Sequence, residues 1–225
     1  MWTPIKSKII QMAGPHGAYA LSRWLTRASP KIVMYHRFSE HQRKGFVHRE
    51  AFDRQVKYLK RNFNILRCDE VLEGMATRQF SVANAVVITV DDGYSDFYEI
   101  AYPVLKKYGV SATLFVATRF IDGDFWLWPD RLKYVLENSE VIESLDVPGF
   151  DIDYPIYLTD QVRSQIWEKV VSYLLSIGEE EKNLWIKSFI DKQKVTVPEC
   201  PPKLYKAISW AQANELALNN IEIGA

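Results

Sequence analysis

The chain has 225 residues, 48% of them apolar and 25% charged, an ordinary globular composition with room for one or two domains. Twenty-eight basic side chains balance 28 acidic ones, which excludes the basic excess expected of a non-specific nucleic-acid binder. Cys68 and Cys200 are the only cysteines, too few and too far apart for a disulfide framework or a zinc-binding spacing.

Residues 1–30 read as a basic, partly apolar helical arm. Gln11, Gly14, Pro15, His16 and Gly17 interrupt it, so it lacks the continuous apolar core of a signal peptide. No stretch reaches transmembrane length. Residues 18–27 suit an amphipathic helix lying on a membrane surface. The expected location is therefore cytoplasmic or membrane-peripheral. Lys31 to His36 reads as a short strand with a polar tip. The histidines at 16, 36, 41 and 48 form no i, i+4 pair, and His36 stands out only because it ends a strand.

Phe52, Val56, Leu59 and Phe63 recur at the spacing of one helical face and predict a helix over 50–62. A strand is expected from Asn64 to Cys68. Asp69 then reads as the N-cap of a short helix running to Met75. A polar loop, 77–84, leads into the apolar β-branched run of Val86 to Val90. That run reads as a strand buried on both faces. It ends in Asp91-Asp92-Gly93-Tyr94. A helix follows to Tyr108, with a break or fresh start at Pro103 and Gly109 as its C-terminal cap. Val110 to Val116 is the next strand. Strands alternating with helices imply parallel pairing.

Residues 120–208 break this rhythm and read as a helical insertion. Phe125-Trp126-Leu127-Trp128 is a dense aromatic loop, and Pro129 is placed to start a helix. Asp122, Asp124 and Asp130 read as surface or capping acids. Thr159 caps a helix with Val162, Ile166, Val170 and Leu174 on one stripe, and Gly178 is read as its stop. Glu179-Glu180-Glu181 suits the first turn of another helix. Ser209 and Gln212 form a capping box before the next helix, and Ile221 to Ala225 begins a strand.

The chemistry centres on Asp91 and Asp92. Aspartate is poor in strands, and adjacent like charges repel, so the pair is not there for the strand. The spacing of a calcium loop is missing. A glycosidase pair needs carboxyls flanking a bond some 5 to 9.5 Å apart, awkward for neighbours at one strand tip. One carboxylate on a metal with the other beside a reacting water suits the spacing better. An acid pair capping the following turn stays open as the non-functional reading.

Thr89-Val90-Asp91-Asp92-Gly93-Tyr94 resembles the first motif of the polysaccharide deacetylases, with Val90 in place of the usual Phe. Met34 to Phe38 is similar to the opening strand of many members. Ala101 to Gly109 and Ala112 to Val116 resemble the helix and strand after the motif. The resemblance covers about 31–120 and resumes at 209–225. It implies a distorted (β/α)7 barrel, incomplete here and carrying the insertion, in a domain over 31–225. It implies metal-dependent removal of N-acetyl groups from a glycan. Asp91 would be the general base and Asp92 a ligand of a divalent metal, zinc first, with His36 and Tyr94 lining the site. The family's His-x-x-x-His ligands have no counterpart in these 225 residues. The expectation is thus a fragment holding part of the site and inactive alone. The oligomeric state is not readable. The rival reading is a non-catalytic carbohydrate-binding or scaffold protein on the same fold, with the tryptophans of 125–128 as its contact surface.

Overall fold

The computed structural model describes residues 18–78, 82–123 and 125–225. The chain divides into two compact units. Of the described residues, those up to 122 together with 206–225 form one, and those from 123 to 205 form the other.

The first unit is built on β5, Ala85–Val90. All six of its residues are buried. A strand buried on both faces cannot alternate polar and apolar residues, which is why it reads as a continuous apolar run. Burying each Val or Ile there contributes about 1.5–3 kcal/mol. β1 (Lys31–Tyr35) pairs in parallel along one edge of β5, from Lys31 opposite Val86 to Tyr35 opposite Val90. β4 (Asn64–Ile65) pairs with the start of β5, and β6 (Ala112–Phe115) with its end. β9 (Ile221–Gly224) adds in parallel to β6. β2 (Phe38–Ser39) and β3 (Val47–His48) form a separate parallel pair.

Three helices cover one face of this sheet. They are α2 (Arg49–Asn62), α4 (Tyr102–Tyr108) and α9 (Trp210–Leu218), and their apolar stripes meet Val86, Ile88, Val90 and Leu114. Tyr35, Phe38 and Phe52 form an aromatic cluster there, with centroids 4.8 to 5.8 Å apart. On the opposite face Ala85 and Val87 pack on Val71 of α3 (Cys68–Thr77). Two further helices of this part of the chain are α1, Ala18–Leu25, and α5, Thr118–Ile121. No helix among the described residues is long and apolar enough to cross a membrane.

The expected barrel is corrected to an open, all-parallel five-stranded sheet. Among the described residues no pairing joins β9 to β1. Closure requires enough tilted, staggered strands to bring the two edges together, and five do not achieve it here. Local expectations also change. The strand after Asn62 is two residues long, and α3 begins at Cys68, so Asp69 lies inside the helix instead of capping it. Glu222, on β9, supplies the cap: its carboxylate accepts from the backbone N–H groups of Cys68 (2.9 Å) and Asp69 (3.3 Å). Thr113 Oγ1 donates to the same oxygen at 2.5 Å. Before Pro103 the chain makes a π-turn, Phe97–Ala101, that runs into α4. The missing N–H of proline removes one rung of the helical ladder, which favours such an irregularity. Gly109 takes φ +57° as the cap of α4.

The second unit contains α6 (Trp128–Asn138), α7 (Asp160–Leu174) and α8 (Glu179–Lys192). A short antiparallel pair, β7 (Val141–Ile142) with β8 (Ile156–Tyr157), lies between the first two of these. Ile166, Val170, Leu174, Ile186 and Phe189 share its core with Leu132 and Val135. Thr159 caps α7 as expected, accepting from Val162 N–H. Gly178 is the N-cap residue of α8, not the stop of α7, which ends four residues earlier. Asp130 is buried in the first turn of α6, not on the surface. Asp124 lies outside the described residues. Both cysteines are free thiols, Cys68 half-buried and Cys200 exposed.

Ile88 is fully buried in the central strand. Replacing it with Ala is expected to destabilise the chain by about 2–5 kcal/mol, read as a lower urea midpoint at unchanged m-value.

Candidate active site

The carboxyl end of β5 is where buried strand gives way to polar turn. Asp91 N–H still donates to Tyr35 O of β1 at 3.0 Å, so its backbone belongs to the ladder. Asp92 then adopts φ +74° and Gly93 φ +84°. Two successive left-handed residues turn the chain sharply off the strand. Aspartate tolerates this conformation better than most residues. Gly93 is required on a second count, because a Cβ there would lie 3.1 Å from Val116 Cγ1.

The turn is tied on several sides. Asp92 O accepts from Ala117 N–H at 3.3 Å, Gly93 O from Ile208 N–H at 2.9 Å, and Ser95 N–H donates to Lys206 O at 2.9 Å. Tyr94 and Ala207 form an isolated antiparallel bridge. The two carboxylates thus project from backbone held by β1, by the residues after β6 and by those before α9.

His36 follows β1 directly. Its Nε2 lies 3.5 Å from Asp91 Oδ2, with the imidazole about half exposed. Asp92 is half-buried, and burial raises its pKa above the usual carboxylate range. His36 and Arg37 pull the other way, while the charge of Asp91 adds to the rise. Tyr94 is buried, its ring edge-on to Phe120 with centroids 5.2 Å apart. The structure therefore brings Asp91, Asp92 and His36 together at one strand end and sets Tyr94 beneath them as packing.

Two residues absent from the sequence-based site lock this arrangement. Arg37 Nε donates to Asp96 Oδ2 at 2.7 Å, with both side chains nearly buried. Asp96 Oδ1 accepts from Phe38 N–H at 3.1 Å. The guanidinium carbon of Arg37 sits 3.7 Å from the centroid of the Tyr94 ring and 4.5 Å from that of Phe46. This pair joins the end of β1 to the turn after β5. In sequence Asp96 looks like an ordinary acid opening a helix, and its partner lies 59 residues away.

Comparison with known proteins bears on this strand end. Residues 81–145 match the family model described as polysaccharide deacetylase. That segment is similar to polysaccharide deacetylases. The chain is 31% identical over 136 residues to the Bacillus subtilis (strain 168) protein named "Putative polysaccharide deacetylase YxkH". That match covers 59% of this chain and 48% of the relative, so the chain spans about half the length of the curated relative it matches. Among solved structures, the de-N-acetylase from Aggregatibacter actinomycetemcomitans aligns at 13% identity and TM-score 0.46, over 86% of this chain and 53% of that one. IcaB from Ammonifex degensii aligns at 16% identity and TM-score 0.40, over 86% and 97% of the two chains.

The polysaccharide deacetylase match contains Asp91, Asp92, Tyr94 and Asp96, whereas His36 and Arg37 precede it. A catalytic zinc takes three protein ligands and keeps a position open. Asp92 offers a half-buried oxygen donor of the right chemistry. Among the described residues no group of three or more His, Cys, Asp or Glu side chains has a geometry that could hold a metal ion. Those residues do not make a metal site by themselves.

The raised pKa of Asp92 gives a stability prediction. A carboxyl whose folded pKa lies above its unfolded value favours folding when protonated, and that contribution is lost as pH rises through the folded pKa. In the presence of a chelator, Asp92→Asn is therefore expected to raise the urea midpoint at pH 7 relative to the parent, with the gain shrinking towards pH 4. A gain independent of pH would show that only backbone strain had been relieved.

Proposed function

We propose that this chain is the acid-bearing part of a carbohydrate N-deacetylase, which hydrolyses the acetamide of an N-acetylated glycan to acetate and a free amine. The observation that supports it most is the Asp91–Asp92 pair at the tip of a wholly buried strand, inside the segment matching the polysaccharide deacetylases. Asp91 is the general base. Its carboxylate takes the proton of the attacking water as the new C–O bond forms, and that proton passes on to the departing nitrogen as the C–N bond of the acetamide breaks. His36 stands beside it, with Nε2 3.5 Å from Asp91 Oδ2. Tyr94 and the Arg37–Asp96 pair hold the turn. Asp92 is one ligand of a divalent metal, zinc first.

Placement of a base within hydrogen-bond reach of the proton it abstracts contributes typically 10²–10⁴-fold to rate. Acetate release from N-acetylglucosamine oligomers by the native protein, loaded with zinc, is expected to fall by about that factor in Asp91→Asn. Unchanged release would remove Asp91 from the reaction. The 225 residues alone are expected to release no acetate, since Asp92 is the single ligand identified in them. Turnover by that chain would show the site to be sufficient as it stands.

A further inference from the structure

The second unit holds a cavity of about 570 Å³ between the start of α6 and the segment after α8. That volume falls within the range of small-molecule sites. Trp126 lines it, and its indole is 6% exposed. The Nε1–H is buried and has no acceptor among the described residues. A buried donor left unpaired is costly and calls for a partner. Arg131, Asp191 and Glu199 also line the cavity, and none has an ion-pair or side-chain hydrogen-bond partner among the described residues. Phe125 and Val197 supply apolar wall.

The wall is fixed. Gln193, buried at the end of α8, donates to Ser144 O (3.2 Å) and Phe189 O (3.1 Å) and accepts from Glu143 N–H (3.1 Å). Trp126 is packed against Tyr134 and Tyr205, each at a centroid distance of 5.5 Å. Gln193 and Trp126 are therefore held in place before a ligand enters, and this part of the wall needs no ordering.

The lining chemistry selects the ligand. An anion would meet two carboxylates against one guanidinium. A cation would meet the guanidinium and the indole N–H. A neutral polyhydroxylated molecule satisfies both sets, because each hydroxyl donates and accepts, and its C–H face suits the apolar wall. We infer that this cavity is a glycan-binding site separate from the Asp91–Asp92 chemistry, taking a unit of a neutral N-acetylated sugar chain. Its neutral, hydroxyl-rich ligand is argued from the cavity; the N-acetyl group rests on the function proposed above.

The test uses the full chain and tri-N-acetylchitotriose. Calorimetric titration is expected to show saturable binding, and the Trp126 indole N–H resonance to shift with the same midpoint. Trp126→Phe, which keeps the ring but loses the donor, and Arg131→Met are each expected to weaken affinity about tenfold, the usual cost of one buried hydrogen bond. Glu199→Gln, at an exposed position, covers the case in which Trp126→Phe does not fold. Asp91→Asn is expected to bind as the parent does. Absence of saturable binding, unchanged affinity in the folded lining variants, or loss of binding in Asp91→Asn would each overturn the site. Binding by a protein that never releases acetate would retain the site and reject the deacetylase reading.

Discussion

The first unit depends on the burial of Ala85 to Val90 on both faces. Such a strand has no solvent-facing side on which to place a charged group, so any charged function must come at its end. The packing above and below β5 fixes where that end lies, and the ladder to β1 carries the register as far as Asp91. Asp91 is the last residue held by strand geometry and Asp92 the first outside it. A single peptide step therefore separates two carboxylates with different backbone conformations. That is how adjacent residues, which repel and would otherwise do the same job, come to occupy distinct environments. Asp92 is buried enough for its pKa to rise; Asp91 faces the half-exposed imidazole of His36.

The Arg37–Asp96 pair supplies what the ladder cannot. Strand pairing positions backbones, but it ends at Tyr35 and Val90. Beyond that point, the loop carrying His36 and the turn carrying Asp92 would be free to separate. The nearly buried ion pair spans them, and its second carboxylate oxygen holds the backbone of Phe38. A pair so enclosed is a weak source of net stability, because desolvating both charges offsets much of their attraction. Its value here is geometric. The guanidinium lies on the Tyr94 ring as well, so one side chain fixes β1, the turn and the aromatic packing under the site.

The features legible in the sequence were those whose cause is local. Continuous apolar character marked β5, helical period marked the face of α2, and hydroxyl caps marked the starts of α7 and α9. The misread features have distant causes. α3 starts at Cys68, where Glu222, more than 150 residues later, accepts from the Cys68 N–H while Glu70 accepts from that of Arg67. A local rule could only choose Asp69. Gly178 fits both the end of one helix and the start of the next, and packing decides between them. Asp130 carries a sequence pattern typical of exposed first turns, yet its side chain is buried. Of the site itself, the acid pair and His36 were visible because each ends a strand. Arg37 and Asp96 were not, since neither has meaning without the other.

Asp92 concentrates three unfavourable conditions in one residue. It is half-buried as an acid, adjacent to another acid, and held at positive φ. Each is removable by a single substitution, and folding alone gives no reason to keep any of them. His36 and Arg37 offset part of the burial cost, and the backbone around the residue holds it against the rest. Ala117 ties its carbonyl, Ile208 ties that of Gly93, and Gly93 lacks the side chain that would push the turn off Val116. Backbone restraint that overdetermines an otherwise costly residue is the arrangement expected where a carboxylate must be presented in one orientation. The same restraint makes a simple turn-capping role insufficient. A cap stabilises the turn it serves, whereas here the turn is fastened from outside and the carboxylate is what it carries.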